Sequence, residues 1–401
     1  MTQSPPMPLE EAQQGLCALV DPLGTHMLAA EDGVGHYLAA DVTARRTQPP
    51  ADLSAMDGYA VGADDLGGPW EVVGESAAGH PFEGTIGARQ AVRISTGAIM
   101  PAGSEAVLLQ ENAARTGHAL SLNGEGHPTP RHIRKAGFDF ASGDLLLSAG
   151  SFLGPAQLAL AISGGHGKLS VHKRPSLAVI DSGDELAADP ASCAAHQIPA
   201  SNGPAISALT RPFVSQVTRI GPVRDTMEAM LAALDKASVA DVIVTSGGAS
   251  VGDHDLVRPA LQEWGATIDF WRVAMKPGKP VMVARRGRQV ILGLPGNPVS
   301  SFVTAYLFLL PLLRRMAGAL RPLPEPVLLP CTEGLPGGGK RTEFLRGREV
   351  NGGVQPIAEQ DSSALRALAE ADVLIRRDID ASPVTAGELV HTYRIQNGGI
   401  A

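Results

Sequence analysis

The chain has 401 residues, more than a single compact core accommodates, so roughly two to four domains are expected. Its formal net charge of −8 lacks the basic footprint of a nucleic-acid binder. With 44% hydrophobic and 18% charged residues it is a globular chain and not a disordered acidic tail.

The N-terminal MTQSPPMPLEEAQQ has neither a basic n-region nor an apolar h-region, so no signal peptide is expected. Leu9, Ala12, Leu16 and Leu19 have the spacing of one helix face. From about Ala51 to Asp144 the pattern changes to short Val/Ile runs divided by Gly, Pro and Asn, as in EVVGES, AVRISTGA and EAVLLQEN, which predicts strands joined by turns. A second helical stretch, Gln157 to Ile162, ends in Ser163-Gly164-Gly165. The two helical pieces can pack as one unit flanking an inserted β domain. Residues 164–168, GGHGK, fail as a P-loop, because Leu169 follows the lysine and Ile162 stands where the first glycine belongs.

After Pro175 buried-strand runs alternate with Gly-rich polar loops and helical segments. SLAVI (Ser176 to Ile180) leads into DSGDEL, DVIVT (Asp241 to Thr245) into SGGASVGDHD, and QVILGL (Gln289 to Leu294) into PGNPVS. Met230, Leu231 and Leu234 mark one intervening helix, and Val257, Leu261 and Trp264 another. This order predicts a mostly parallel α/β sheet whose ligands bind outside the carboxyl ends of its strands. The longest apolar run, Phe302 to Leu313, contains Pro311 and is shorter than the about 20 residues of a membrane span. Past Arg321-Pro322-Leu323-Pro324 short strands return and predict a small C-terminal β domain. The expected division is 1–48 with 142–174 as a helical linker unit, 49–141 as the inserted β domain, 175–320 as the α/β domain and 321–401 as the C-terminal domain. A cytoplasmic protein is expected. The cysteines, Cys17, Cys193 and Cys331, form no C-x-x-C, and no H-x-x-x-H occurs, so neither a disulfide framework nor a thiolate or zincin zinc site is expected.

Three loops carry chemistry. Ser246-Gly247-Gly248-Ala249-Ser250 offers backbone N–H groups and hydroxyls that suit phosphate, or it is a plain strand-to-helix turn. Lys276-Pro277-Gly278-Lys279-Pro280 holds two ammonium groups on a proline-stiffened chain, which suits a phosphate or another oxyanion. In Pro295-Gly296-Asn297-Pro298-Val299-Ser300, Asn297 is a natural N-cap and Pro298 a natural N1 for the helix that begins there. The acids Asp57, Asp139, Asp184, Glu185, Asp225 and Asp255 are candidates for holding Mg²⁺ near phosphates, each with a bland alternative as a cap or turn residue. Asp225 with Glu228, for example, has capping-box spacing.

SAMDGYAV, RISTGAIMPAGSEAV, AGFD, SGDEL, TSGGASVGDHD, KPGKP and GLPGNPVS occur in the order found in molybdopterin molybdenumtransferases. By these motifs the chain resembles the MoeA family, similar to the E domain of gephyrin, from about Leu9 to Tyr393. The resemblance implies an elongated homodimer of four-domain subunits. The implied enzyme takes adenylylated molybdopterin and molybdate, inserts molybdenum at the dithiolene and releases AMP with Mg²⁺ assistance. It further implies that Ser246, Gly247, Gly248 and Ser250 cradle phosphates beside Pro295 and Pro298. Lys276, Lys279, Ser300, Arg346 and Ser362 would hold the oxyanion. Asp184, Glu185, Asp225 and Asp255 would surround the metal, with Asp57, Lys276 and Lys279 joining Glu185, Asp225 and Asp255 in the catalytic set. Asp57 and Thr96 would act across the dimer, and Asp139 would approach from the inserted domain. Two departures stand out: Asp181 occupies a position where the family usually has Ser, and Ala200-Ser201-Asn202 lacks the usual Asp of Asp-Ser-Asn.

Molybdopterin adenylyltransferase and apo-molybdoenzymes are the protein partners this implies. Transfer of adenylate onto molybdopterin is the competing enzymatic reading and would release pyrophosphate. A non-catalytic scaffold that binds and delivers the cofactor is the reading from another class, and it predicts tight binding without AMP release.

Overall fold

The computed structural model describes residues 6–247 and 256–395. Helix α1 (Leu9–Ala18) buries the predicted Leu9, Ala12 and Leu16. Thr25–Ala29 pairs antiparallel with Lys168–His172, and Val42–Thr43 with Leu145–Leu147, so two distant chain segments build one small unit. Helix α2 (Pro155–Ser163) packs there, with Ala161, Leu153 and Leu169 in its core. Between those segments lies a six-stranded sheet that includes Gly58–Val61, Trp70–Ser76 and Gln90–Ile94.

The α/β region follows. Its strands are β1 (Ser176–Ser182), β2 (Gln216–Val223), β3 (Val242–Ser246), β4 (Thr267–Arg272), β5 (Pro280–Arg286) and β6 (Gln289–Leu294). They lie in the order β2-β1-β3-β6-β5-β4. The pairs β1–β2, β1–β3 and β3–β6 are parallel, whereas β5 pairs antiparallel with both β6 and β4. The predicted parallel sheet thus gains an antiparallel edge. Helices α3 (Asn202–Thr210), α4 (Met227–Ala237) and α5 (Val257–Glu263) lie between the strands. Because the sheet is covered on both faces, its central strands are continuous apolar runs: Leu177, Ala178, Val179 and Ile180 are all fully buried.

Helix α6 (Pro298–Met316) has the length and composition of a membrane span, but 89% of the apolar window is buried inside the protein. It is a core helix, longer than the apolar run in the sequence suggests. Ala305–Leu309 is a π-helical turn, and Pro311 follows inside the same helix. Pro311 has no N–H to give the Leu307 carbonyl. The buried Gln13 of α1 supplies a donor instead, at 2.8 Å. One core joins α1, one face of the sheet, α6 and the C-terminal Phe344, Leu374 and Tyr393.

The C-terminal sheet contains Val327–Pro330, Thr342–Val350, Gly353–Pro356, Val373–Arg377 and Leu389–Arg394. Its edge is completed by Met275–Lys276 from the α/β region, paired in parallel with Thr342 and Glu343. A short helix, α7 (Leu365–Ala369), lies in this region.

Candidate active site

The switch in strand order lies between β1 and β3, where one connection leaves to each side, and a crevice opens at their carboxyl ends. A cavity of about 800 Å³ occupies it. Its walls come from Asp181, Ser182 and Glu185 after β1, Ser246 and Gly247 after β3, and Pro295 to Pro298 after β6. Ile198, Asn202 and Leu365 contribute from farther along the chain. Gly247 has φ +99°, a backbone state that a side chain resists. Asn202 ties two of the loops together, its Nδ2 donating to Ser246 Oγ and to the Gly296 carbonyl at 2.8 Å each. Asn297 is the N-cap of α6, but its side chain does not cap the helix. It donates instead to Ser362 Oγ at 3.0 Å, and Val299 N donates to the Ser362 carbonyl at 3.0 Å. These bonds fix the C-terminal segment 360–363 over the start of α6.

A second cavity of about 310 Å³ adjoins the first. Lys279 and Ser362 line the second, and their chain neighbours Pro280 and Ser363 line the first. The smaller cavity carries Lys276, Lys279 and Arg341 with the acids Glu343 and Asp361, and Ser300 and Gln360 complete its polar wall. Lys276 Nζ lies 3.2 Å from Glu343 Oε1, a pair set up by the parallel pairing of their two segments. Gly278 has φ +98°, and a Cβ on it would run into Thr304 Oγ1, so the loop lies directly on α6. Ser363 donates from both N and Oγ to Asp361, which holds that carboxyl below its usual range. The geometry therefore offers a larger, mainly apolar-walled space beside a smaller cationic one, as a ring-bearing ligand with an anionic end requires.

Models of three families cover most of the chain: the MoeA N-terminal region (domain I and II) over residues 7–165, a probable molybdopterin binding domain over 178–315, and the MoeA C-terminal region (domain IV) over 329–395. A molybdopterin molybdenumtransferase of Haemophilus influenzae is 32% identical over 385 residues, 92% of this chain and 93% of that protein. The chain belongs to the MoeA family. A molybdopterin molybdenumtransferase of a Nostoc species is 34% identical over 78% of this chain and 74% of its own length. A molybdopterin biosynthesis MoeA protein from Pyrococcus horikoshii superposes with a TM-score of 0.76 at 28% identity, covering 98% of this chain and all of its own.

As a MoeA-family chain, it brings together much of the set expected from sequence. Glu185, Ser246, Gly247, Pro295 and Pro298 line the larger cavity. Lys276, Lys279, Ser300 and Ser362 line the smaller one. Asp184 and Asp225 grip each other reciprocally, each backbone N donating to the other's carboxylate at 3.3 Å. Asp225 is not the cap of α4. Thr226 holds that position and accepts from Ala229 N. Among the described residues no three acids, histidines or cysteines cluster as a metal site. The Asp184–Asp225 pair supplies hard oxygen donors of the kind Mg²⁺ takes together with water. Gly248, Ser250 and Asp255 lie outside the described residues.

Arg346 behaves differently from the expectation. Arg341, Glu343, Phe344 and Leu345 line the smaller cavity, whereas Arg346, one residue past them on the strand and on the face opposite Glu343 and Leu345, does not and is 2% exposed. Its Nη2 donates to the Glu359 carbonyl at 2.8 Å, and its N and carbonyl oxygen bond the side-chain amide of Gln360, which lines the cavity. Arg346 thus supports the wall, and Arg341 is the arginine in it. Alternation along TEFLR, counted from Glu343, was the signal that separates the two. Asp57 and Thr96 meet in the turns flanking Gly58–Val61 and Gln90–Ile94 of the inserted sheet, with Thr96 N 2.7 Å from Asp57 Oδ1, and neither lines either of the two cavities described above. Asp139 is exposed and likewise apart.

Proposed function

We propose that the chain inserts molybdenum from molybdate into adenylylated molybdopterin, with release of AMP. Membership of the MoeA family carries the coarser statement: this is a transferase of molybdenum cofactor biosynthesis. The observation that carries the finer one is the pair of adjoining cavities. The larger accommodates a ring-bearing phosphate ester along the Ser246–Gly247 turn, where the Ser246 hydroxyl, held by Asn202, can donate to a phosphate oxygen. The smaller presents Lys276, Lys279, Arg341, Ser300 and Ser362 to an oxyanion. Molybdate is such an anion, compact and doubly charged, and needs several fixed donors.

In this reading the residues chiefly bind and orient. Lys279 and Arg341 hold the oxyanion against the anhydride, and Glu343 keeps Lys276 from folding away. Asp184 and Asp225 would hold Mg²⁺, which supplies charge neutralisation at the anhydride when bound. Asp57 with Thr96, and Asp139, belong to the inserted region and would reach the cleft from the second subunit of a homodimer. The division 1–48 with 142–174, 49–141, 175–320 and 321–401 is part of the same proposal, as are a cytoplasmic setting and hand-over to apo-molybdoenzymes.

The test is AMP formed on incubating purified protein with adenylylated molybdopterin, Mg²⁺ and graded molybdate. AMP rising with molybdate and matched by pterin-bound molybdenum is the expected result. Tight pterin binding without molybdate-dependent AMP would leave the scaffold reading. Lys279→Met is expected to lower turnover at limiting molybdate at least tenfold, with the urea midpoint unchanged. Unaltered turnover would remove Lys279 from the oxyanion site.

A further inference from the structure

The opposite end of the α/β sheet carries a cavity of its own. It measures about 790 Å³ and lies at the amino ends of β3 and β6, beside Asp241 and Gln289, whereas the proposed chemistry lies at their carboxyl ends. β6 has six residues, so about 17 Å separates the two ends. Leu19, Leu23, Val290 and Met316 give the cavity an apolar side where α1 and α6 end. Arg285, Arg286 and Arg288 line it from the tight β5–β6 hairpin, which turns through Gly287 at φ +60°. All three arginines are exposed, and none makes an ion pair with a described residue. The acids of the same wall are Asp21 and Asp241. Asp241 is already engaged, its Oδ2 accepting from Ser176 N at 2.8 Å and from Ser176 Oγ at 2.7 Å. The three cations thus face Asp21 as the one unengaged acid, in a chain of net charge −8.

The wall is held in place. Arg286 lies over the Trp264 ring, 3.9 Å from its centroid, and Trp264 Nε1 donates to Asp235 Oδ1 at 2.8 Å. A guanidinium fixed in advance loses little freedom on binding a carboxylate. Gln289 Nε2 donates to the Ala237, Ser238 and Ala240 carbonyls after α4, which pins a loop that leaves Val239 83% exposed. The directions of the arginines select the shape of the ligand. Val281 and Val283 of β5 enter the core shared with α1 and α6, and Met282 and Ala284 enter the one shared with α4 and α5. By the same alternation Arg285 leans toward α1 and Arg286 toward Trp264. A compact anion meets one of the two, whereas an extended chain crossing the end of the sheet meets both.

We propose that this groove docks an extended acidic segment of a partner protein. Its carboxylates pair with Arg285, Arg286 and Arg288, and one apolar side chain rests on Leu19, Leu23 and Met316. Such an occupant leaves the cleft at the other end of the sheet open. The local positive field steers it to this face of an otherwise acidic protein.

The experiment is fluorescence anisotropy of the full chain with three labelled peptides: EEDLFEEE, EEDSSEEE without the apolar anchor, and KKKLFKKK with the charge inverted. EEDLFEEE is expected to bind about tenfold more tightly than either control, and to weaken about tenfold between about 50 and about 500 mM KCl. Arg285→Glu combined with Arg288→Glu should lower its affinity about tenfold or more, with the urea midpoint unchanged. No binding of EEDLFEEE, equal affinity for either control, or affinity that survives the charge reversal would overturn the proposal. Displacement of the peptide by about 10 mM inorganic phosphate at constant ionic strength would also overturn it, and would mark a site for small anions. A change in sedimentation of the unliganded chain on charge reversal would do the same, by showing that a second copy of the chain covers the groove.

Discussion

Gly278 is where the oxyanion loop depends most on a missing side chain. Gly278→Ala puts a Cβ on a residue at φ +98°, which costs an L-residue about 1–3 kcal/mol. The new methyl would also collide with Thr304 Oγ1 and lie 3.2 Å from Met275 Cε. Neither neighbour moves freely, since Thr304 and Met275 are fully buried in α6 and beside the loop, and overpacking of this kind adds about 1–3 kcal/mol. The expected loss is therefore about 2–6 kcal/mol on these two terms. The terms separate in a cycle with Thr304→Ala. That substitution alone removes a buried hydroxyl that has no hydrogen-bond partner, together with one methyl group, and should be near neutral. In the double variant the collision is relieved and the backbone term stays, giving a coupling of about 1–3 kcal/mol. Urea unfolding followed by circular dichroism measures the cycle, and molybdate-dependent AMP release should fall in the single variant and partly return in the double. Equal losses with and without Thr304, or Gly278→Ala within about 0.5 kcal/mol of the native chain, would refute the close-approach argument.

The remaining predictions concern the carboxyl and amide that frame the larger cavity. Asp181 is raised from 3.8 to about 6 by burial, so between those values the folded chain holds a proton that the unfolded chain has released. Stability must then fall as pH rises through that window, by at most about 3 kcal/mol and less where water screens the group. Asp181→Asn lacks this dependence, so its stability relative to the native chain should increase from pH 4 to pH 7; a constant difference would contradict the burial. Asn202→Ala removes the donors to Ser246 Oγ and the Gly296 carbonyl. A loss of about 1–3 kcal/mol in urea titration is expected, together with weaker binding of AMP; unchanged affinity would show that the tie does not shape the cavity.

Much of this site is written in short-range pattern. Buried parallel strands have to be continuous apolar runs, so SLAVI, DVIVT and QVILGL declare themselves, and the polar loops that follow fall at the carboxyl ends of their strands. KPGKP and PGNPVS are equally visible, because prolines restrict the chain locally and lysines announce charge. The helix at Pro298 starts where Asn297 and Pro298 predict, yet the Asn297 side chain turns away to Ser362, a residue 65 positions along the chain. Local sequence chooses the cap position, while the partner that wins the amide arrives from another domain.

Tertiary structure alone decided the rest, for the same reason. The edge of the C-terminal sheet is completed by Met275–Lys276, and that pairing is what sets Lys276 beside Glu343. Asp184 and Asp225 look like separate turn and cap acids until β1 and β2 pair in parallel and bring their loops together. The placement of Thr342–Val350 puts the half-buried Arg341 in the cavity wall and buries Arg346, though both are arginines in one short stretch. Composition and periodicity report what a residue needs from its nearest neighbours. Which distant residue meets that need depends on sheet order, register and the packing of one domain on the next, and these are fixed only when the whole chain has folded.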